Sequence, residues 1–210
     1  MAGIFVTFEG TDGSGKTSVI NDLTARLDQM GLQDQYLVTR EPGGSRISEA
    51  IREIILDQKN TEMDQKTEAL LYAASRRQHL VEKILPALAA GKLVICDRFV
   101  DSSLAYQGAG RAIGVKQVAA INQFATDGLT PDLTFYFDLA PEIGLNRIKK
   151  NRQDEVNRLD EEQLSFYQLV RTEYLALADQ EPERIKTIDA TRSETEVAAT
   201  VFSQLKKYLP

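Results

Sequence analysis

A single cysteine, Cys96, in a chain of 210 residues has no partner of its own kind, which excludes an internal disulfide framework and a thiolate metal cluster. Set in the run KLVICD, it reads as a small buried apolar residue rather than a reactive thiol. Histidine is equally scarce: His79 stands alone in a helical pattern, with no plausible base partner, and is expected on the helix surface. No apolar run approaches the roughly 20 residues that a membrane helix needs, and no basic segment followed by a long apolar one opens the chain. The expectation is a cytoplasmic protein without membrane contact. Linkers rich in Gly, Pro and Ser, internal repeats and low-complexity tracts are also missing, so residues 1–210 read as one domain. Positive charge is in deficit, with 25 Lys and Arg against 31 Asp and Glu and a net charge of −6, which argues against broad nucleic-acid binding.

What is present alternates. Short runs rich in Val, Ile, Phe, Tyr and Thr at Ile4–Glu9, Gln35–Arg40, Leu93–Asp97, Leu133–Asp138 and Ile185–Asp189 are separated by longer helical patterns. That is the pattern of β-α-β units around a parallel sheet covered on both faces. Helices are expected to start near Lys16, Arg46, Asp64, Val115, Pro141, Asp160 and Ser193, with Gly91 just past a helix end. The stretch KKNRQDEVNRLDEE (149–162) is dense in both charge signs and poor in apolar residues, and reads as a mobile loop between two helices.

The first strand runs straight into GTDGSGKT (10–17), which matches G-x-x-x-x-G-K-[ST] in the strand-to-helix context that pattern requires. Gly10, Gly13 and Gly15 permit backbone angles that turn several N–H groups into one concavity, and the first turn of the next helix adds free N–H donors and its positive dipole end. Such a nest suits a phosphate chain, with Lys16 reaching the outer phosphates and the Thr17 hydroxyl available to Mg²⁺. The nucleotide-binding set is Gly10, Thr11, Asp12, Gly13, Ser14, Gly15, Lys16, Thr17 and Ser18. At the end of KLVICDRF, Asp97 is expected at the carboxyl edge of the sheet beside this loop, as a second Mg²⁺ ligand or as a helix cap. Arg98 then offers a planar fork for phosphate oxygens or, failing that, a surface ion pair.

Three more stretches bring polar groups to strand ends. TREPGG carries Arg40 and Glu41 to the same sheet edge before a sharp turn, with Arg52 in the helix that follows. LLYAASRRQH puts Tyr72 and Arg76 on one helical face; spacing alone reads as core packing plus solvated charge, although a ring beside a guanidinium can also stack on a base and bond its edge. DSSLAYQG gives Ser102, Ser103, Tyr106 and Gln107 in a helix. No carboxylate base stands out. A kinase acting on an alcohol uses one, whereas a nucleoside monophosphate acceptor needs none, because its phosphate, with a second pKa near about 6, is already mostly dianionic. Such an acceptor needs charge neutralisation, and Arg147, Lys149, Lys150, Arg152 and Arg158 in or beside the polar loop fit that need.

FEGTDGSGKT, TREPGG, LYAASRRQH, DRFVDSSLAYQG and PDLTFYFDLAPEIGLNRI, in this order and spacing, resemble bacterial thymidylate kinases over nearly the whole chain. The combination of REPGG, DRF and AYQG carries the resemblance. It implies a three-layer α/β/α P-loop NTPase fold with a five-stranded parallel sheet and a mobile lid at about 149–160, Mg²⁺ with ATP as donor, dTMP as acceptor, dTDP as product, and a homodimer. It implies that Tyr72 stacks on thymine, that Arg76 bonds a thymine carbonyl with Ser103 and Gln107 beside it, and that Tyr106 walls off a 2′-hydroxyl. Arg40, Arg52 and Arg98 would hold the acceptor phosphate next to Glu41, and Asp12 the sugar 3′-hydroxyl. Relatives carry the catalytic cation either within the P-loop or in the lid, and Gly13 resembles the second group, so that Lys16, Arg98, Arg152 and Arg158 form the catalytic set. Thr17 and Asp97 form the metal set, and TIDATRS resembles the segment that touches adenine. A broader deoxynucleoside monophosphate kinase and a P-loop switch protein are the alternatives.

Overall fold

Nearly continuous apolar runs in the central strands, IFVTFE, LVICD and LTFYFD, leave two faces to be covered, and helices cover both. The chain runs β1 (Ile4–Glu9), α1 (Lys16–Gln29), β2 (Tyr36–Arg40), α2 (Arg46–Leu56) and α3 (Gln65–His79), which continues through a π-helical stretch, Leu80–Ile84, into α4 (Leu85–Ala89). β3 (Leu93–Asp97) leads into α5 (Val100–Ser103), a second π-helical stretch at Leu104–Gly110, and α6 (Val115–Thr126). β4 (Leu133–Asp138), α7 (Pro141–Asn151), α8 (Leu164–Gln180), β5 (Ile185–Asp189) and α9 (Glu194–Leu205) complete the order. The structure, a computed structural model, describes residues 3–151 and 162–209, apart from the side chains of 148–151.

All strand pairs are parallel, in the order β2-β3-β1-β4-β5. β1 therefore sits between strands reached by crossovers to opposite sides, a topological switch point, and the crevice beyond its carboxyl end is where such sheets bind ligands. Alternation along β1 sorts the core. Val6 and Phe8 pack with Leu23, Leu27, Phe135, Phe137 and Val201 under α1 and α9. Phe5 faces the opposite layer with Leu80, Ile84, Val94, Cys96 and Phe99, and Tyr136 adds Tyr106, Tyr167, Val170 and Tyr174 there. Cys96 is a core residue, as expected, and its burial pushes the thiol well up.

Two helix starts are fixed by side-chain caps. The Asp64 side chain accepts from the N–H groups of Lys66 and Thr67 ahead of α3, and Ser193 and Glu196 close a capping box on α9. Three boundaries differ from expectation: α7 runs on through Asn151, so 149–151 are helical and not part of the loop expected from 149. β2 begins at Tyr36 rather than Gln35, and the helix after the polar stretch begins at Leu164 rather than near Asp160.

Candidate active site

The first strand ends on Glu9, and the chain then turns through Gly10, Gly13 and Gly15 with φ of 135°, 77° and 91°, all in the region that favours glycine. At Gly13 the requirement is also one of space. A Cβ there would lie 2.6 Å from the carbonyl oxygen of Gly144, so the first turn of α7 packs directly on the loop. Lys16, the first residue of α1, bends back so that Nζ donates to the carbonyls of Gly10 at 2.9 Å and Thr11 at 3.0 Å and to the Ser14 hydroxyl at 3.4 Å. Burial lowers its pKa to about 8 and Arg98 adds to the effect, while Asp97, Asp12 and Glu9 oppose it. The result is a cation held ready above a loop of N–H donors, which an anion would discharge.

Asp97 and Arg98 emerge from β3 at the same edge. The Oδ1 of Asp97 is buried and accepts no hydrogen bond from a described residue. Arg98 adopts φ 72°, a left-handed conformation that costs a side-chain-bearing residue about 1–3 kcal/mol and persists only where its surroundings hold it. Here they do. Its guanidinium donates to Asp12 at 2.9 Å, to Ser102 at 3.1 Å and to the Tyr106 hydroxyl at 3.4 Å, above the Tyr106 ring, and its backbone N–H donates to the Phe8 carbonyl. Behind Ser102 lies Glu9, fully buried, which accepts from the Ser102 hydroxyl, the Phe99 N–H at 2.7 Å and the Tyr174 hydroxyl at 2.9 Å. Burial and the neighbouring Asp101 raise the Glu9 carboxyl to about 7.

The loop after β2 adds a second layer of arginines. Arg40 pairs with both oxygens of Glu49, at 2.9 and 3.1 Å, and Glu49 also accepts from the Gly44 N–H at 2.7 Å. Arg52 donates to the Pro42 carbonyl at 2.8 Å. Glu41 faces inward, where one carboxylate oxygen accepts from Nε of Arg76 at 2.7 Å and the other meets Nδ1 of His79 at 3.0 Å. Arg76 further donates to Ser103 at 3.1 Å, to the Phe99 carbonyl at 2.9 Å and to Asn122.

Two expectations from spacing are corrected here. Arg76 is not a solvated charge: it is 2% exposed, because four polar partners and the face of Phe99 replace its water. His79 is not a surface residue: it is fully buried, with Nε2 bonded to Thr39 at 2.6 Å and Gly44 packed against the ring. Its position three residues after Arg76 puts it on the same helical face, a signal present in the sequence.

One cavity of about 700 Å³ joins these groups. Asp12 to Ser18 and Asp97 line it together with Arg40, Glu41, Arg52, Tyr72, Arg76, Arg98, Ser103, Tyr106 and Gln107. Gly10 and Thr11 stand behind the loop and offer their carbonyls to Lys16. Sequence reasoning missed several residues that shape the site. Glu9 and Tyr174 support Ser102, Asn122 supports Arg76, and Glu68 accepts from Gln107 at 2.9 Å. Arg147, read only as part of a basic cluster, reaches from α7 to the Gly13 carbonyl at 3.2 Å and the Ala190 carbonyl at 3.4 Å, and lines the cavity together with Arg192. Arg152, Arg158 and the side chain of Lys149 lie outside the described residues.

Chemically, the cavity pairs a nest for one phosphate chain with an arginine-lined, aromatic-walled compartment for a second, smaller anion. Comparisons with known proteins place the chain in a family. The thymidylate kinase family model matches residues 8–201. A thymidylate kinase from Latilactobacillus sakei is 65% identical over 192 residues, which cover 91% of this chain and 89% of that one. A thymidylate kinase from Enterococcus faecalis is 58% identical over 209 residues, or 99% and 98% of the two chains. The crystal structure of a thymidylate kinase from Ehrlichia chaffeensis superposes with a TM-score of 0.79 at 32% identity, covering 98% of this chain and 99% of that one. Matched by the family model over residues 8–201 and by relatives this similar over nearly its whole length, the chain belongs to the thymidylate kinase family.

Proposed function

We propose that this protein transfers the γ-phosphoryl group of ATP to dTMP, yielding dTDP and ADP, as a step of nucleotide biosynthesis in the cytoplasm. One observation carries the reading: the phosphate nest and the arginine-lined compartment open into the same cavity, so two anionic substrates can meet end to end. A phosphate oxygen of dTMP attacks the γ-phosphorus in line as the bond to the β-γ bridging oxygen breaks, and that oxygen leaves on ADP. The acceptor is already dianionic, so no base is required. Catalysis is then positioning and charge neutralisation, without a covalent intermediate.

Lys16 exchanges its carbonyl partners for the outer phosphate oxygens of ATP, held by the N–H groups of Gly13 to Ser18. Arg98, backed by Arg40 and Arg52, holds the phosphate of dTMP. Tyr72 stacks on the thymine, Arg76 donates to a ring carbonyl with Ser103 and Gln107 alongside, Asp12 meets the 3′-hydroxyl, and Tyr106 closes the space a 2′-hydroxyl would need. Arg152 and Arg158, on a lid at about 149–160 of a single domain, add charge to the migrating group. Asp97 and Thr17 fit Mg²⁺: the buried Asp97 Oδ1 lacks a hydrogen-bond donor, and Thr17 lines the same cavity. Bound there, Mg²⁺ would neutralise charge on the β- and γ-phosphates.

A coupled assay with ATP and a panel of monophosphates tests the assignment. kcat/KM should be highest for dTMP, with dUMP next, since one buried methyl is worth only about 1 kcal/mol. A dTMP value no better than those of dCMP or AMP would refute it, and equal dTMP and dUMP values would point to the broader deoxynucleoside monophosphate kinase.

The proposal includes a homodimer. Helices α3 and α6 pack side by side and leave Leu70 and Phe124 in water, the latter 87% exposed. Leu70→Glu combined with Phe124→Glu should convert a dimer to a monomer in light scattering. A wild-type monomer at micromolar concentration would remove this part of the proposal.

A further inference from the structure

Gln107 lines the cavity next to Arg76 and Ser103, yet its side chain is not free to choose which end it presents. Its amide nitrogen donates to Oε1 of Glu68 at 2.9 Å. Glu68 is 1% exposed and is gripped by Arg111, whose Nε and Nη2 donate to its two oxygens at 3.3 and 3.2 Å. Arg111 is itself anchored by Glu162 at 2.5 Å and lies over the Phe166 ring. A carboxylate only accepts, so the NH₂ end of the Gln107 amide must face it. The carbonyl oxygen, on the other arm of the same plane, bonds to no described residue and is not sealed from the cavity. The pocket therefore offers a guanidinium donor, Arg76, beside an amide acceptor, Gln107.

We propose that Glu68 is a specificity-determining positioning residue: it locks the Gln107 amide with its oxygen toward the base, so that the site takes a pyrimidine bearing a ring imide N–H and rejects one bearing a ring nitrogen acceptor. Thymine and uracil present a carbonyl at C4 and an N–H at N3, which complement a donor beside an acceptor. Cytosine presents an amino group at C4 and a bare N3. It would set donor against donor at Arg76 and acceptor against acceptor at Gln107, leaving buried polar groups without partners. Glu68 touches no substrate in this scheme; it acts through Gln107. With Tyr72 and Arg76 at successive spacings of four, Glu68 shares the face of α3 that looks into the site.

The inference rests on dTMP being the acceptor, and the test separates the two. The quantity is the ratio of kcat/KM for dTMP to that for dCMP. Glu68→Met removes the acceptor and lets the amide sit either way round, so the ratio should fall about tenfold or more, chiefly through better use of dCMP, while the KM for ATP stays within about twofold. The exchange Glu68→Gln with Gln107→Glu conserves charge and puts a carboxylate at 107, an acceptor whichever way it turns, and should bring the ratio back toward wild type. A folded Glu68→Met variant with an unchanged ratio overturns the inference. A folded exchange variant that remains indiscriminate does the same, and it decides alone if Glu68→Met does not fold. A wild-type enzyme without preference for dTMP over dCMP would instead overturn the proposed function.

Discussion

Replacing Lys16 with alanine should reduce phosphoryl transfer by about 10³-fold or more while the protein still melts as a folded domain. The side chain is a buried cation resting on the Gly10 and Thr11 carbonyls and the Ser14 hydroxyl. Its removal strands three acceptors beside a polar cavity, a modest loss, but takes away a positive charge held against the phosphate nest. A pH titration gives the same residue a second signature. Its pKa is near 8 before nucleotide binds, lowered first by burial, and a polyphosphate favours the charged form. ATP affinity should therefore be full below about pH 8 and fall above it, by up to about tenfold per pH unit, whereas Lys16→Ala should be flat over the same range. Stability moves the other way: the unfolded lysine binds its proton more tightly, so the contribution of Lys16 to stability of the free protein rises between pH 8 and its ordinary value. Calorimetric titration from pH 7 to 9.5 reads the affinity. A flat wild-type profile, or a Lys16→Ala enzyme that turns over, would contradict the assignment.

Replacing Arg76 with methionine should damage both stability and acceptor recognition. The guanidinium joins Glu41 to Ser103, Asn122 and the Phe99 carbonyl in a region closed to water. Without it, Glu41 is a buried carboxylate left with His79 alone, and breaking a buried pair in this way costs about 3–5 kcal/mol. For a domain of this size that is a fall of roughly 6 °C or more in Tm. Two measurements separate stability from recognition. Adding Glu41→Gln should recover much of the lost Tm, because no charge is then stranded. It should not recover turnover: kcat/KM for dTMP should stay down by at least about 100-fold, with the KM for ATP nearly unchanged, since the hydrogen bonds of Arg76 go to Glu41, Ser103, Asn122 and Phe99 and not to the nest. Full recovery of dTMP use in the double variant would assign Arg76 a purely structural role.

The parts of this site that could be read from the chain are those whose geometry is local. GTDGSGKT holds its own turn, its own N–H donors and the start of its own helix, so the nest is complete within eight residues. Asp97, Arg98 and Arg40 were legible for a related reason: parallel strands send their carboxyl ends to one edge, and a residue that ends a strand pattern is thereby placed. The helical face of α3 was partly legible, through Tyr72 and Arg76, but Glu68 on the same face carries no signal of its own and His79 reads as an incidental surface residue. Nothing in the run of letters says that a Glu 35 residues before Arg76 will fold over that face and claim it. Nor does it couple Glu9 to Tyr174 across 165 residues, or Glu68 to Arg111 across 43.

By itself, then, the sequence determined the alternation of strand and helix, the parallel sheet, the phosphate nest and the family, because each is written in contiguous or periodic residues. Only the tertiary structure decided which polar side chains are buried together, which way the Gln107 amide turns, and why position 13 has room for glycine alone. Those outcomes depend on which distant groups meet once water is excluded, and the cost of leaving a donor, an acceptor or a charge without a partner is set by the packed interior as a whole.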